Sequence, residues 1–243
     1  MIATGMLYGQ NVRGGSNYDY GNSIATDGNG NCYVTGYFKS ATIMFGNITL
    51  TNNSSSGSDD MYVVKYDSSG NVLWAKRAGG GGYDYGKGIA IDGNGNCYVT
   101  GYFNSSTITF GSVMLTNTDN SGSSDMYLVK YDSGGNVLWA KRASGSSRDY
   151  GQGITADENG NCYVTGEFRS DTITFGSVVL TNAYSYGYSS QMYVVKYDSS
   201  GITVWAKCAV GSSPIIGSSI AVDGNGNCYA TGFFGGAPLH LGV

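Results

Sequence analysis

Two acidic motifs recur along this chain, and each offers a chemistry. The first is Asp-x-Asn-x-Asn, beginning at Asp27, Asp92, Asp157 and Asp223. Oxygen-bearing side chains at positions one, three and five open a calcium-binding loop, and the EF-hand form closes with a glutamate at position twelve. Position twelve here is Phe38, Phe103, Phe168 and Phe234. An EF-hand is excluded, and a looser Ca2+ site stays as the alternative. The same residues also make a tight turn, in which Asp bonds the backbone and Gly95 or its equivalent supplies a positive φ. The related Asp-x-x-Gly-Asn runs at Asp67 and Asp132 keep that pattern without the middle Asn. They favour the turn, and no cofactor is expected.

The second motif is an Asp-Tyr pair: Asp19-Tyr20, Asp84-Tyr85 and Asp149-Tyr150. A carboxylate can accept hydrogen bonds from sugar hydroxyls while a neighbouring ring stacks on an apolar sugar face. One pair per repeat, on the connection between repeats, would make a shallow multivalent binder. The structural alternative has Asp capping the connection and Tyr packing between repeats. The fourth instance reads Pro214-Ile-Ile-Gly217 and has neither group.

Catalysis finds little material. The one histidine is His240. There is no zinc-binding His pair, no phosphate loop and no nucleophile elbow with a partnering base. Lys65, Lys130 and Lys196 recur, as do Lys76, Lys141 and Lys207 beside Trp74, Trp139 and Trp205. An active site needs one asymmetric cluster, so recurrence in every repeat favours stem packing and pairing. The tryptophans are expected between repeats. The chain reads as a non-enzyme.

These motifs ride on a long repeat. DGNGNCYVTGYF starts at Asp27 and again at Asp92, DENGNCYVTGEF at Asp157 and DGNGNCYATGFF at Asp223. Cys32, Cys97, Cys162 and Cys228 are 65, 65 and 66 residues apart. A supersecondary unit of this period predicts a stacked or circular array. Equivalent atoms of neighbouring sheets lie about 10 Å apart, whereas a disulfide needs Cα atoms within about 7 Å. These cysteines are therefore expected as free thiols, and Cys208 stands where earlier repeats carry Arg77 and Arg142.

Composition narrows the partners. The 243 residues include 40 Gly and 2 Pro, only 12 % are charged, and the net charge is −4. No Lys/Arg cluster exceeds a pair, so nucleic-acid binding has no basic patch to rest on. No apolar run reaches membrane-spanning length. The opening MIATGMLYGQ lacks the charged and apolar regions of a signal peptide.

Within the second repeat, Gly88–Ile91 predicts strand A and Cys97–Phe103 strand B, with the Asp92–Asn96 turn between them. Ile108–Phe110 and Val113–Thr116 form a hairpin about Gly111-Ser112. Asn117–Ser124 is a loop, Met126–Tyr131 strand C and Val137–Ala143 strand D. No segment has a helical apolar period. Met126-Tyr-Leu-Val-Lys-Tyr131 is apolar on both faces, which suits a sheet covered on both sides. Four-stranded sheets packed about an axis make a β-propeller. The fold class is all-β, a propeller of four-stranded antiparallel blades with an extra hairpin each.

Through GNCYVTGYF, TITFG…LTN, DMYLVKYDSGGNVLWAKRA and YDYGKGIAIDGNGN the chain resembles the bacterial SBBP-type β-propeller repeat family. The resemblance runs over nearly the whole chain and implies a propeller scaffold in an exported or surface-associated protein. It carries no catalytic residues. Cysteine at the start of strand B departs from the family's hydrophobic residue.

One domain over 1–243 is expected, with repeats at about 18–82, 83–147 and 148–212, a partial one at 213–243 and a leading outer strand in 1–17. Four blades would close by both chain ends, with Met6–Val12 and Leu239–Val243 completing the last. An excerpt of a larger propeller and a homodimer exchanging chain ends are the alternatives. The expected function is an interaction module. A glycan-binding, lectin-like propeller is the runner-up, and a propeller hydrolase or lyase comes last.

Overall fold

The computed structural model describes residues 12–53, 57–117, 122–182, 184, 189–235 and 240–241. Among them there is no helix. The strands are β1 (Val12–Arg13), β2 (Asp19–Thr26), β3 (Cys32–Phe38), β4 (Thr42–Phe45), β5 (Ile48–Thr51), β6 (Asp60–Tyr66) and β7 (Val72–Ala78). The second repeat gives β8 (Asp84–Ile91), β9 (Cys97–Phe103), β10 (Thr107–Phe110), β11 (Val113–Thr116), β12 (Asp125–Tyr131) and β13 (Val137–Ala143). The third gives β14 (Asp149–Ala156), β15 (Cys162–Phe168), β16 (Thr172–Phe175), β17 (Val178–Thr181), β18 (Gln191–Tyr197) and β19 (Thr203–Val210). Last come β20 (Ile215–Val222), β21 (Cys228–Phe234) and β22 (His240–Leu241).

Each repeat folds into one antiparallel sheet in simple sequence order. The sheets are β2-β3-β6-β7, then β8-β9-β12-β13, then β14-β15-β18-β19, with β4–β5, β10–β11 and β16–β17 as separate hairpins. The first strands β2, β8, β14 and β20 lie side by side and carry the array from sheet to sheet. Strand B and the hairpin fall where the sequence places them. Strand A is longer than expected: in the second repeat it begins at Asp84, not Gly88, so the Asp-Tyr pair opens a strand instead of riding a connection. A bulge explains the missed length. The ladder slips between Gly86 and Gly88, leaving Lys87 unpaired, and the same slip occurs at Asn22, Gln152 and Ser218. The extra residue breaks the two-residue alternation on which a strand reading depends.

Both faces of the middle sheets are covered. Tyr33, Met61, Val63 and Trp74 pack against Ile89, Cys97, Val99, Phe103, Tyr127 and Val129 of the next sheet. The hairpin tucks Phe110 against Tyr127, rings 4.9 Å apart, as Phe45 does with Tyr62 and Phe175 with Tyr193. Burying an aliphatic or aromatic side chain of this size is worth about 1.5–3 kcal/mol. All five cysteines are free, and Cys32, Cys97 and Cys162 are buried.

Hydrogen bonds lace the sheets at the turns between strands C and D. Lys65 Nζ and Trp74 Nε1 both donate to the Ser133 carbonyl of the next sheet, at 3.2 and 3.1 Å. Lys130 and Trp139 do the same to Ser199, both at 3.2 Å. Lys65, Trp74, Lys130 and Trp139 therefore clamp sheet to sheet.

The sheets do not close into a ring among the described residues, contrary to the expected completion of a fourth blade by both chain ends. β20 and β21 pair only with each other. His240–Leu241 adds instead to the edge of β19 through Val210 and Ala209. Val12–Arg13 pairs with Phe45 and Met44 of the first hairpin. Each end segment satisfies a nearby sheet edge, which would otherwise expose unpaired backbone groups. The rest of Met6–Val12 lies outside the described residues, as do Leu239, Gly242 and Val243.

Neighbouring first strands approach without a side chain between them. A Cβ on Gly151 would run into Thr100 Oγ1, and Gly86 and Gly217 meet Thr35 and Thr165 in the same way. Gly151→Ala should therefore lower stability by roughly 1–3 kcal/mol, the usual cost of overpacking. Gly28→Ala, with nothing within 4 Å of its added carbon, should stay within about 0.5 kcal/mol of wild type. Urea unfolding midpoints of the two variants check both expectations.

Candidate functional site

The Asp-x-Asn-x-Asn runs fold as the A–B turns. Asp92 Oδ1 accepts the amides of Asn94 and Asn96, both at 2.9 Å, while Oδ2 accepts Asn96 Nδ2 at 2.8 Å and the Tyr98 hydroxyl at 3.0 Å. Asp27 repeats all four contacts. Asp67 and Asp132 make the same turn between strands C and D. These hydrogen bonds hold the carboxyls of Asp27, Asp67, Asp132 and Asp223 below the usual carboxylate range, against desolvation, which is the largest influence on Asp27. No group of three or more His, Cys, Asp or Glu side chains is arranged around a common centre among the described residues. Each oxygen of these aspartates is already occupied by its own turn. We therefore expect the melting midpoint to be the same in EDTA and in millimolar calcium; a rise of several degrees with calcium would assign the turns to the metal.

The Asp-Tyr pairs divide into two roles. Asp84 and Asp149 are completely buried. Asp84 Oδ2 accepts from Gly80 N–H at 2.8 Å and from Ser105 Oγ at 2.6 Å. Asp149 accepts from Gly145 N–H at 2.7 Å and from Ser170 Oγ at 2.9 Å. Asp19 is half-buried and accepts from the amides of Lys39 and Ser40 and from Ser40 Oγ. These carboxylates tie the inter-sheet connection to the segment after strand B. Desolvation, only partly offset by the hydrogen bonds, pushes Asp84 up to about 7 and Asp149 up to about 8.

The tyrosines point the other way and join a feature that the sequence did not disclose. Tyr20 stacks on Tyr37 at 4.9 Å, and Tyr37 meets the Tyr85 ring of the next sheet edge-on at 4.5 Å. Tyr85 continues to Tyr102 at 4.9 Å, and Tyr102 to Tyr150 of the third sheet at 4.1 Å. Tyr18 and Tyr83 extend the row outward, each 6.5 Å from its neighbour. Five half-buried or exposed rings from three sheets thus form one continuous strip, built from the second residue of each strand A and the strand B residue opposite it.

Charged groups sit along this strip. Lys87, the bulge residue of β8, places its Nζ 5.2 to 5.8 Å from the centres of the Tyr85, Tyr102 and Tyr37 rings. Burial lowers its pKa. Asp59 Oδ2 accepts from the Tyr85 hydroxyl at 2.7 Å, which adds to desolvation in pushing that phenol up. Desolvation also takes Tyr102 up to about 12. Opposite Tyr150 the strand B residue is Glu167, with Arg169 Nε 4.0 Å from its Oε2. Asp59 Oδ1 and Glu167 Oε2 are buried and accept no hydrogen bond. Glu167 Oε2 faces the Arg169 cation, and both oxygens are closed off from solvent.

Tyr37, Tyr102, Glu167, Lys87 and Asp59 escaped the sequence reading. A signal for them was present in comparing the repeats with one another. The bulge position reads Asn22, Lys87, Gln152 and Ser218, and the strand B position reads Tyr37, Tyr102, Glu167 and Phe233. Nearly invariant residues flank both positions.

A family model described as the SBBP β-propeller repeat matches residues 9–37, 73–106 and 138–167. The second and third matched segments each span the crossing from one sheet to the next. An uncharacterized WD repeat-containing protein of Acanthamoeba polyphaga mimivirus is 24% identical over 262 aligned residues, covering 87% of this chain and 19% of that protein. The regulatory protein FlaEY of Caulobacter vibrioides is 27% identical over 131 residues, 54% of this chain and 14% of that protein. The chain spans less than a fifth of the length of either relative.

The buried aspartates predict an unusual pH response. A carboxyl whose folded value lies above its unfolded value of about 3.9 binds more protons in the fold. Its stabilising contribution is complete at low pH and is lost as pH rises through the folded value. For Asp84 and Asp149 that loss falls between about pH 4 and pH 8. The melting temperature should therefore be higher at pH 5 than at pH 9. In the Asp84→Asn, Asp149→Asn double variant the slope should flatten.

Proposed function

We propose that this domain is a non-enzymatic interaction module that binds its ligand along the tyrosine strip. The observation that supports this reading is the coincidence of variation and chemistry. In repeats otherwise nearly copied from one another, the bulge residues and the strand B residues differ. They differ at one place in space, where half-buried rings, the half-buried Lys87 and the carboxylates of Asp59 and Glu167 meet. Asn22 serves the joint, donating to the Gly86 carbonyl at 2.7 Å, but a scaffold held together only by its repeats gains nothing from Lys87 and Gln152 being different. A binding surface does, because each sheet then offers the ligand a different group. The β-propeller repeat and the distant WD-repeat relative fit an interaction scaffold.

A glycan is the second reading, favoured by the exposed rings. The exposed faces of Tyr20 and Tyr83 suit apolar sugar faces, and Lys87 suits a ring or hydroxyl oxygen. The Asp19, Asp84 and Asp149 carboxylates take no part, since they are engaged in the connections. The fourth repeat, with Ile216 and Phe233 in place of two tyrosines, would contribute apolar contact alone. A glycan array probed with wild type and with Tyr83→Ala, Tyr102→Ala and Glu167→Gln separates the readings. Binding that falls at least tenfold in these variants supports the sugar reading. No signal above background on the array, together with variant-sensitive capture of a protein ligand, leaves the interaction module and removes the glycan.

A further inference from the structure

The tyrosine strip has a chemistry of its own that needs no ligand. A phenol can give up one electron, and an electron crosses readily between rings in contact. From Tyr20 to Tyr150 successive ring centres are 4.9, 4.5, 4.9 and 4.1 Å apart. Tyr83 lies nearly parallel to Tyr85, with 9° between the planes and 6.5 Å between the centres. Tyr18, Tyr20 and Tyr83 are 75%, 47% and 45% exposed. Solutes therefore reach the row at three rings, while Tyr37, Tyr85, Tyr102 and Tyr150 behind them are half-buried.

One ring of the row differs from the others in where its proton can go. A phenol that loses an electron becomes a very strong acid, so the loss is easy where the proton can leave in the same step. The Lys87 ammonium, 5.2 to 5.8 Å from the Tyr85, Tyr102 and Tyr37 centres, opposes any positive charge left on these rings. Among the described residues, Tyr85 is the one tyrosine of the row that donates to a carboxylate, Asp59 Oδ2 at 2.7 Å. That distance is within proton-transfer reach. Asp59 is buried and its other oxygen accepts no hydrogen bond, so taking up the proton disrupts no other contact. Tyr33 and Tyr98 also donate to carboxylates, those of Asp27 and Asp92. Each of those acids closes a turn with three further hydrogen bonds that protonation would disrupt. Their tyrosine rings meet Trp74 and Trp139 and not the row.

We propose that the strip is a relay for oxidising equivalents and that the relay ends at Tyr85. A one-electron oxidant in solution, such as a peroxyl radical, takes an electron from Tyr18, Tyr20 or Tyr83. The oxidant is reduced to its anion, and the oxidised phenol gives its proton to water. Tyr85 then passes an electron along the row to that ring, which takes a proton back from water. In the same step the Tyr85 proton crosses to Asp59 Oδ2. The net change is one electron moved from Tyr85 to the oxidant. The Tyr85 O–H bond is broken, an O–H bond forms on Asp59, and the surface phenol is restored. The product is a neutral phenoxyl radical beside a neutral carboxylic acid, with no positive charge added near Lys87.

Azide radicals made by pulse radiolysis, at less than one oxidising equivalent per chain, test the relay. Wild type should form a tyrosyl radical, followed by its optical absorption and by electron paramagnetic resonance after rapid freezing. That radical should persist at least tenfold longer than in Tyr85→Phe and in Asp59→Asn. The first variant removes the end of the relay; the second keeps a hydrogen-bond acceptor that takes no proton. Tyr184→Phe, at an exposed ring outside the row, should decay as wild type does. Circular dichroism checks that each variant is folded, and either of the first two decides by itself. Equal lifetimes in wild type and in a folded Tyr85→Phe or Asp59→Asn overturn the proposal. So does a wild-type resonance spectrum that Tyr85→Phe leaves unchanged.

Discussion

The arrangement depends on how closely successive first strands approach. A glycine in strand A lies under a threonine of the preceding strand B, and that threonine is itself fixed, Thr100 Oγ1 donating to the Tyr127 carbonyl at 2.9 Å and Thr165 to Tyr193 at 2.8 Å. The inner edges of the sheets can then meet backbone to side chain, while Tyr33, Trp74, Phe103 and Tyr131 fill the space between sheets farther out. Glycine gives up packing and pays conformational entropy at these positions, and the return is a joint that can be repeated without adjustment.

The same closeness explains the buried acids. A chain that leaves the outer strand D and returns to the next strand A must cross the array with its backbone amides facing inward. Asp84 and Asp149 collect those amides, together with a serine hydroxyl, and stitch the crossing down. They do so in a site dry enough to raise their own proton affinity. Asp60 and Asp125, at the head of strand C, solve a similar problem with a cation, pairing with Arg77 and Arg142 at 3.0 and 2.8 Å. In the third repeat that pair becomes Gln191 and Cys208, and Gln191 exchanges neutral hydrogen bonds with Gly211 at 2.8 and 3.0 Å. A buried ion pair is dispensable when its replacement satisfies the same polar atoms, and Cys208 acquires a reason there that its sequence alone did not reveal.

What the sequence disclosed and what it withheld follow from range. Turns such as Asp92–Asn96 and strands such as Cys97–Phe103 are written in contiguous residues, and they fall where expected. So do the Lys65 and Trp74 clamps in kind, though not in their shared acceptor on Ser133. The strand A extension was hidden by a single bulge residue that spoils the alternation. The tyrosine strip was hidden more deeply. Tyr37 and Tyr85 are 48 residues apart and belong to different sheets, and only the face-to-face stacking brings their rings together. The Asp-Tyr pair was visible as a unit, yet the fold splits it, because adjacent residues in a strand face opposite sides.

Repetition sharpens the assignment of function in a chain like this one. Where four copies of a unit share a backbone, a residue kept in every copy is explained by the joint it makes with the next copy. Thr35, Tyr33 and Lys65 are accounted for in that way, contact by contact, and Asp27 by the turn it closes. Some changes from copy to copy are explained by packing, as Gln191 and Cys208 are, but others at a fixed backbone position receive no such explanation. Asn22, Lys87 and Gln152 occupy one bulge geometry with three different chemistries, and Tyr37, Tyr102 and Glu167 lie in one strand register. Packing tolerates the exchange there because the bulge already lifts the side chain out of the ladder. The freedom that the bulge creates is thus spent at the surface where sheets, rings and charged groups converge, which is the support for proposing recognition on the strip and not in the turns.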